Sequence, residues 1–504
     1  MASDKIVRVP IAALGVAGFV IGLVVSYWVA GLFGFSPAIM WSVLVILFVV
    51  GVFFLDHPKL FLYLIFVYHA TSFNGTFFGR WHFNIPFIGI LDEALLAVPI
   101  AILIMKAIHR QLPRGATWFP VIYLFLAVLS WRINHVPTMN FVRVTLSYSK
   151  FYIFWFFARA IGPWSIREKR AWLIILVVLA FVQFPMNCLW QGGLTVSIHA
   201  DNSVGTIGGA HLIGYISTFA LFMIAGWMLS LKAPLPGRRV ALAAALSVMI
   251  AYDLIFLTDT KHVLLMVPLA ALPFFFFPRF PTRSRALMIA AMGLFVLFSG
   301  IYLSQATRNW GGRVSMVYQS MKYSGKGAVF RAITGTLREE VPAFGLLGAG
   351  PGNFCSTVGT YSMRPLANKY VLPYLIRSFR SGGTATESSI VGGPMSSLYT
   401  LWGEFGPFTT LAYFWFWFFA LRHLWRESLR TPGFPFETGQ RLAVTGCVIV
   451  VFLVGMLSET FNIGILMLPL WSLVGIYWDG GGRAEREADE PPPEGMNYRM
   501  PFRF

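Results

Sequence analysis

The chain has 504 residues, 57% of them hydrophobic and 12% charged, with a mean hydropathy of +0.68. That balance excludes an ordinary soluble enzyme and defines a polytopic membrane protein. The formal charge of +18 sits mostly in short clusters between apolar spans, where positive-inside anchors belong, so it does not point to nucleic acid. Cys188, Cys355 and Cys447 have no paired spacing, and no metal or disulfide framework follows from them.

A membrane span needs about 20 apolar residues, and alternating basic loops set its direction. After a polar start with Lys5 and Arg8, the run 11–32 is too long for a cleaved signal and reads as an uncleaved first span. Span 39–55 returns to the inside turn Asp56 to Lys59, span 60–73 goes out, and span 87–105 comes back to the basic segment 106–114. Asp92 and Glu93 lie within that fourth span. An acid pair inside a membrane is either functional or brought to an interface by tilt. Span 118–131 leads out to 132–150, and the next span ends at the cytosolic cluster 159–170.

Spans 171–189, 211–231, 241–257, 263–277 and 286–303 follow. Their outward connections are a Gly-rich segment, 191–210, and the short turn Thr258 to His262. Beyond a long outer loop, span 396–421 returns to a basic inside loop, 422–441, and spans 443–457 and 463–478 form a final hairpin. The fold class predicted is all-α and polytopic, with about fourteen transmembrane helices and both termini cytoplasmic. One large, partly helical periplasmic loop separates the eleventh helix from the twelfth. The divisions are 1–303 for helices one to eleven, 304–395 for the loop, 396–478 for the last three helices, and 479–504 for a Pro- and charge-rich tail expected to be disordered.

Loop 304–395 carries Arg308, Arg313, Lys322, Lys326, Arg331, Arg338, Arg364, Lys369, Arg377 and Arg380 against only Glu339, Glu340 and Glu387. Positive charge is normally sparse on the outer side, so an anionic ligand is the simplest reason for the excess. Arg331 and Arg338, seven residues apart, share a face if the segment is a straight helix. They then either suit a pyrophosphate or form a solvated basic face. The segment 205–214 (Gly-Thr-Ile-Gly-Gly-Ala-His-Leu-Ile-Gly) is either an anion-holding approach to a helix start or a flexible turn. Lys261 is either a ligand cation or a snorkelling side chain.

The order of these segments carries a resemblance. After the Gly-rich approach and Thr260-Lys261-His262 come 345–354 (Gly-Leu-Leu-Gly-Ala-Gly-Pro-Gly-Asn-Phe) and 396–409 (Ser-Ser-Leu-Tyr-Thr-Leu-Trp-Gly-Glu-Phe-Gly-Pro-Phe-Thr). From Gly205 to Thr409 the chain resembles the superfamily of O-antigen ligases and Wzy-type polysaccharide polymerases. The resemblance implies a membrane glycosyltransferase of the GT-C type that takes a glycan from undecaprenyl pyrophosphate without cofactor, nucleotide sugar or obligatory metal.

By position in that motif order, Arg331 corresponds to the loop arginine that engages the pyrophosphate, with Lys261, Arg338 and Arg313 as further cations. Met395 stands where ligases carry a functional His, and a thioether cannot take a proton. Glu387 and His211 are then the candidate bases, with Glu404 a weaker one. Tyr361, Tyr370, Tyr374 and Tyr399 either stack on sugar rings or mark a lipid–water interface.

The function expected is a bacterial Wzy-type polymerase. It would act at the periplasmic face of the inner membrane, on a lipid-linked repeat unit, and possible partners are a flippase and a chain-length regulator. The alternatives are a ligase acting on lipid A core or another acceptor, and a transporter of anionic lipid-linked glycans that uses Asp92, Glu93 and Asp253 for coupling.

Overall fold

The computed structural model describes residues 57–70, 96–191 apart from 114 and 116, 206, 210–231, 237–258, 260–278, 282–308, 325–374, 396–431 and 435–478. All regular structure among them is helical. The first helices are α1 (Pro58–Ala70), α2 (Ala97–Ile108), α3 (Trp118–Ile133), α4 (Thr138–Ala160), α5 (Ile166–Gln191) and α6 (Ala210–Ser230). Helix α7 (Gly237–Tyr252) runs into a π turn, Asp253–Leu257, and is followed by α8 (Lys261–Ala270), α9 (Leu272–Phe276) and α10 (Thr282–Arg308).

The segment predicted as the outer loop, called the outer segment below, contains α11 (Gly325–Arg331), a second π turn (Ala332–Thr336), α12 (Leu337–Glu340), α13 (Phe344–Leu347), α14 (Thr357–Tyr361) and α15 (Pro365–Tyr370). Next come α16 (Ser397–Thr400), a third π turn (Leu401–Phe405), α17 (Gly406–Arg430), α18 (Phe436–Leu457) and α19 (Gly464–Ile476). Among the described residues, four helical stretches are long and apolar enough to cross a membrane: Ile166–Cys188, Leu212–Ser230, Val240–Leu257 and Phe436–Leu457. The first two predicted spans, residues 87–95 of the fourth including Asp92 and Glu93, and the tail lie outside the described residues.

Two boundaries differ from the hydropathy reading. Residues 132–150 are not one outer loop: a short turn ends at Pro137 and α4 begins at Thr138. Helix α4 carries Arg143 and Lys150, and Lys150 is buried, so polar residues hid a helix from the hydropathy pattern. Segment 396–421 is not one span either. It starts with a turn of helix and a π turn, and the long helix begins only at Gly406-Pro407 and continues to Arg430.

Helix α18 runs through the middle of the bundle. Small residues let backbones meet there, as lipid-facing bundles require. A Cβ on Gly226 of α6 would meet the Gly439 carbonyl oxygen of α18 at 2.3 Å, and one on Gly475 would meet the Trp155 carbonyl at 2.6 Å. Around α18, aromatic rings fill the interior. Trp417 and Trp471 meet edge to face at 4.9 Å, and Trp155 meets Phe416 at 5.0 Å. Such pairs contribute about 0.5–1.5 kcal/mol each beyond the area they bury.

The ends of the helices sort into two groups, in the same partition that alternating basic loops predict. At one end, Lys59 donates to the Pro163 carbonyl and to Glu168, at 2.7 and 2.8 Å. At that same end Lys169 and Arg441 both pair with Glu437, and all three are buried. Arg441 also donates to the Tyr477 carbonyl (3.2 Å) and the Thr431 hydroxyl (2.9 Å). At the other end the 134–137 turn with the first turn of α4, the outer segment and the 458–461 turn meet.

A buried ion trio is held by mutual pairing, and removing the shared partner leaves uncompensated charge. Glu437→Gln is expected to cost about 3–5 kcal/mol, because it strands two buried cations. Arg441→Gln should cost less, since Lys169 keeps Glu437. Thermal unfolding of the purified variants in one detergent tests that order.

Candidate functional site

The outer segment has its own small core. Val329, Ile333, Leu337, Phe344, Ala349, Phe354 and Cys355 are buried together, with Tyr370, Tyr399 and Trp402 packed at its edge. The Gly-rich motif joins this core to the bundle. Gly348, Gly350 and Gly352 have φ of +68°, +94° and +84°, which accounts for the alternating glycines. Close approach adds a second demand: a Cβ on Gly348 would meet the Glu404 carbonyl at 2.6 Å, and one on Gly406 would meet the Leu346 carbonyl at 2.5 Å.

The motif wraps the third π turn. Gly403 and Glu404 accept backbone hydrogen bonds from Ala349 (2.7 Å) and Gly350 (2.9 Å). The Glu404 side chain, fully buried, accepts from the backbone N–H groups of Gly352 (2.6 Å), Phe354 (3.0 Å) and Ser356 (2.7 Å). Hydrogen bonds to a charged acceptor are worth about 1.5–3 kcal/mol each, against a large desolvation cost for a lone carboxylate. Glu404 is therefore a clamp, with both oxygens engaged. From the bundle, Ser130 donates to the Leu347 carbonyl (2.6 Å), Asn134 to that of Gly348 (3.2 Å) and Asn140 to that of Gly352 (3.2 Å).

A second carboxylate stands beside the clamp. Glu459, on the turn between α18 and α19, accepts from the Thr357 hydroxyl at 2.8 Å and from Asn462 at 2.9 Å. Burial pushes its carboxyl up to about 7, with the Glu404 charge adding to the rise and Thr357 opposing it. Ser397 ties the same turn down, accepting from the N–H groups of Thr460 (2.8 Å) and Phe461 (2.9 Å).

The cations of the outer segment have unequal fates. Arg331 and Arg338 are exposed, on either side of the π turn Ala332–Thr336. A π turn carries an extra residue, so their seven-residue spacing does not repeat a face as in a straight α-helix. Lys326 is buried at the start of α11, and burial holds its amine down at about 8. Lys369 and Tyr370 both bond to Glu340, at 2.6 Å each. Arg364 points its Nε at the side-chain oxygen of Asn353, 2.9 Å away, which gives the motif asparagine a role in holding a guanidinium.

Of the tyrosines, Tyr361 is 84% exposed. Tyr370 and Tyr399 are half-buried, beside Phe354 and Phe330 respectively. Arg313, Glu387 and Met395 lie outside the described residues, as do the side chains of Lys261 and His211.

The structure brings two weaker motifs together. A Cβ on Gly214, the last residue of the Gly-rich approach, would sit 2.2 Å from Thr260. One residue on, the Tyr215 hydroxyl lies 3.4 Å from His262 Nε2, and both side chains are buried. Gln183 of α5 fixes the start of the approach with a two-point contact to Thr206, at 2.7 and 2.9 Å. This Tyr–His pair, Glu459, and the contact of Asp253 with Asn187 were not singled out by sequence reasoning. Polar residues amid apolar helices at outward ends were the available signal.

Among the described residues no group of three or more His, Cys, Asp or Glu side chains is arranged to hold a metal ion. No known family model matches the sequence, and no curated protein matches it either.

Glu404→Gln should loosen the outer segment, since an amide NH2 would face backbone donors where a carboxylate oxygen accepted. A loss of about 2–4 kcal/mol, one or two buried donors unmatched, is checked by the protease susceptibility of the 345–360 region. Glu459 supplies a pH test. An acid whose carboxyl is raised in the fold binds its proton more tightly when folded. Its contribution is therefore full below about 4.5 and lost as pH rises through about 7. Melting curves across that window should fall with pH in the wild type and flatten in Glu459→Gln.

Proposed function

We propose that the chain is a membrane glycosyltransferase of the kind it resembles, a Wzy-type polymerase that extends a glycan carried on undecaprenyl pyrophosphate. The observation that carries the reading is the interlock of 348–356 with Glu404 and Gly406. These are two of the segments on which the resemblance rests, about fifty residues apart in sequence, and they form one rigid unit at the end of the bundle where the outward turns gather. Exposed Arg331 and Arg338 stand on the same small core as that unit.

In this reading a sugar hydroxyl of the incoming repeat unit attacks the anomeric carbon of the lipid-linked chain. The bond from that carbon to the pyrophosphate oxygen breaks, with inversion, and the proton leaves the hydroxyl for a nearby base. Glu387 and His211 are the proposed bases. The cations Arg331, Arg338, Arg313 and Lys261 meet the charge that develops on the departing pyrophosphate, which is where fixed cations are most effective. A flippase delivering the substrate and a regulator of chain length are the proposed partners, and the bacterial inner membrane, with the outer segment in the periplasm, is the proposed location. Transfer to a lipid A core acceptor differs only in the acceptor, and the interlock serves it equally.

The test is reconstitution of the purified protein in liposomes with the host's lipid-linked oligosaccharide. A ladder of longer lipid-linked chains is expected, reduced at least tenfold by Arg331→Ala. Product formed only when a lipid A core acceptor is added would make the protein a ligase. If no transfer occurs, and lipid-linked substrate in cells lacking the protein stays on the cytosolic leaflet, the enzyme reading is wrong and transport takes its place.

A further inference from the structure

We propose that Asp253 and Asn187 form a proton-binding site within the bundle, in which the neutral acid of Asp253 and the amide of Asn187 close a two-hydrogen-bond ring. Both side chains are fully buried. Asn187 of α5 donates its NH2 group to Asp253 Oδ1 at 2.7 Å. The other two oxygens of the pair, Asp253 Oδ2 and Asn187 Oδ1, meet no protein donor. Each of these two buried acceptors, on side chains already joined by one hydrogen bond, lacks a donor, an arrangement worth several kcal/mol against the fold. One proton on Oδ2, donated to Asn187 Oδ1, satisfies both oxygens and removes the charge. A carboxylic acid and a primary amide are complementary in just this way, each giving one N–H or O–H and taking one.

The surroundings favour a proton over a metal cation. A cation in this place needs a shell of several oxygens, as hard cations do, and among the described residues the pair leaves two side-chain oxygens unsatisfied. Among the described residues no cation forms an ion pair with Asp253. The titratable groups on the described elements packed around the π turn include Cys188 on α5, Tyr252 on α7, Tyr215 on α6, His262 on α8 and buried Tyr302 on α10, which packs on Phe256 of the turn. Cys188 interacts electrostatically with Asp253, whereas Tyr215 and His262 face each other. A carboxylate there would have no counter-charge among the described residues, and charge inside a membrane bundle is costly.

The position gives the site a mechanical role. Asp253 opens the π turn, and its carbonyl accepts the wide i→i+5 hydrogen bond from Thr258 at 3.1 Å. Thr258 and Thr260 then cap the Leu254 carbonyl with their hydroxyls, at 2.9 and 3.3 Å. The ring thus fastens α5 to the turn that leads into Lys261. Loss of the proton breaks one of its two bonds and sets two bare oxygens against each other. This holds whatever reaction the protein catalyses.

Infrared difference spectroscopy of the full-length protein in lipid, wild type against Asp253→Asn at mildly alkaline pH, tests the site. The wild type is expected to show a C=O stretching band of a protonated carboxyl that Asp253→Asn lacks and that does not respond to Na+ or K+. Asp253→Asn should also melt within a few degrees of the wild type, because two amides close the same ring. Asn187→Leu should shift the band, and if that variant does not fold, the first comparison still decides. Absence of a band assignable to Asp253 at that pH would mean an ionised carboxylate and overturn the proposal. So would a Na+-dependent rise in melting temperature that disappears in Asp253→Asn, which would make the pair a cation site.

Discussion

The Glu404 carboxylate, gripped by three backbone N–H groups of the 352–356 loop, is the contact on which the arrangement of the outer segment depends. It sits on a π turn between a helical turn and the long helix α17, so it transmits the position of the bundle directly to the loop. The glycines at 348 and 406 let the two backbones approach closely enough for the grip to form. Without the carboxylate, the loop donors would be buried and unmatched. Without the glycines, the carboxylate would not reach them.

The far end of the bundle is fixed by a different device. Lys169, Glu437 and Arg441 form a buried ionic trio, tied through Arg441 to the C-terminal ends of α17 and α19. Backbone amides hold an anion at one end, while side-chain charges hold one another at the other. Between them the packing is aromatic and apolar, with small residues wherever helices touch most closely. Polar contacts set which helices are neighbours, and the apolar middle fills the space that this leaves.

Much of this was legible in the residues. Apolar runs separated by basic clusters gave the helical class and the sorting of turns to two ends, because charge and hydropathy act over whole segments. The motif glycines marked the stretch that packs closely on Glu404 and Gly406. What was not legible depends on tertiary partners. Helix α4 was hidden because Arg143 and Lys150 look like loop residues until the bundle covers Lys150. The role of Glu404 was unreadable because its donors are backbone amides, which every sequence has. Asn134 and Asn140 gave no signal at all, one capping α3 and the other in the first turn of α4, until they meet the Gly348 and Gly352 carbonyls. A π turn likewise has no sequence signature, which is why Arg331 and Arg338 invited a straight-helix reading.

The third π turn also constrains how this sequence is able to diverge. A single α-helical residue advances the chain by about 100°, so deleting one residue from Leu401–Phe405 would swing Glu404 through more than a quarter of a turn, away from its amides. Lengthening the 352–356 loop by one residue would move the amides instead. Substitutions elsewhere in the outer segment are absorbed by repacking, but insertions and deletions within either of these two anchors are not. Descendants of this gene should therefore vary freely in composition around the clamp while keeping its two spacings unchanged.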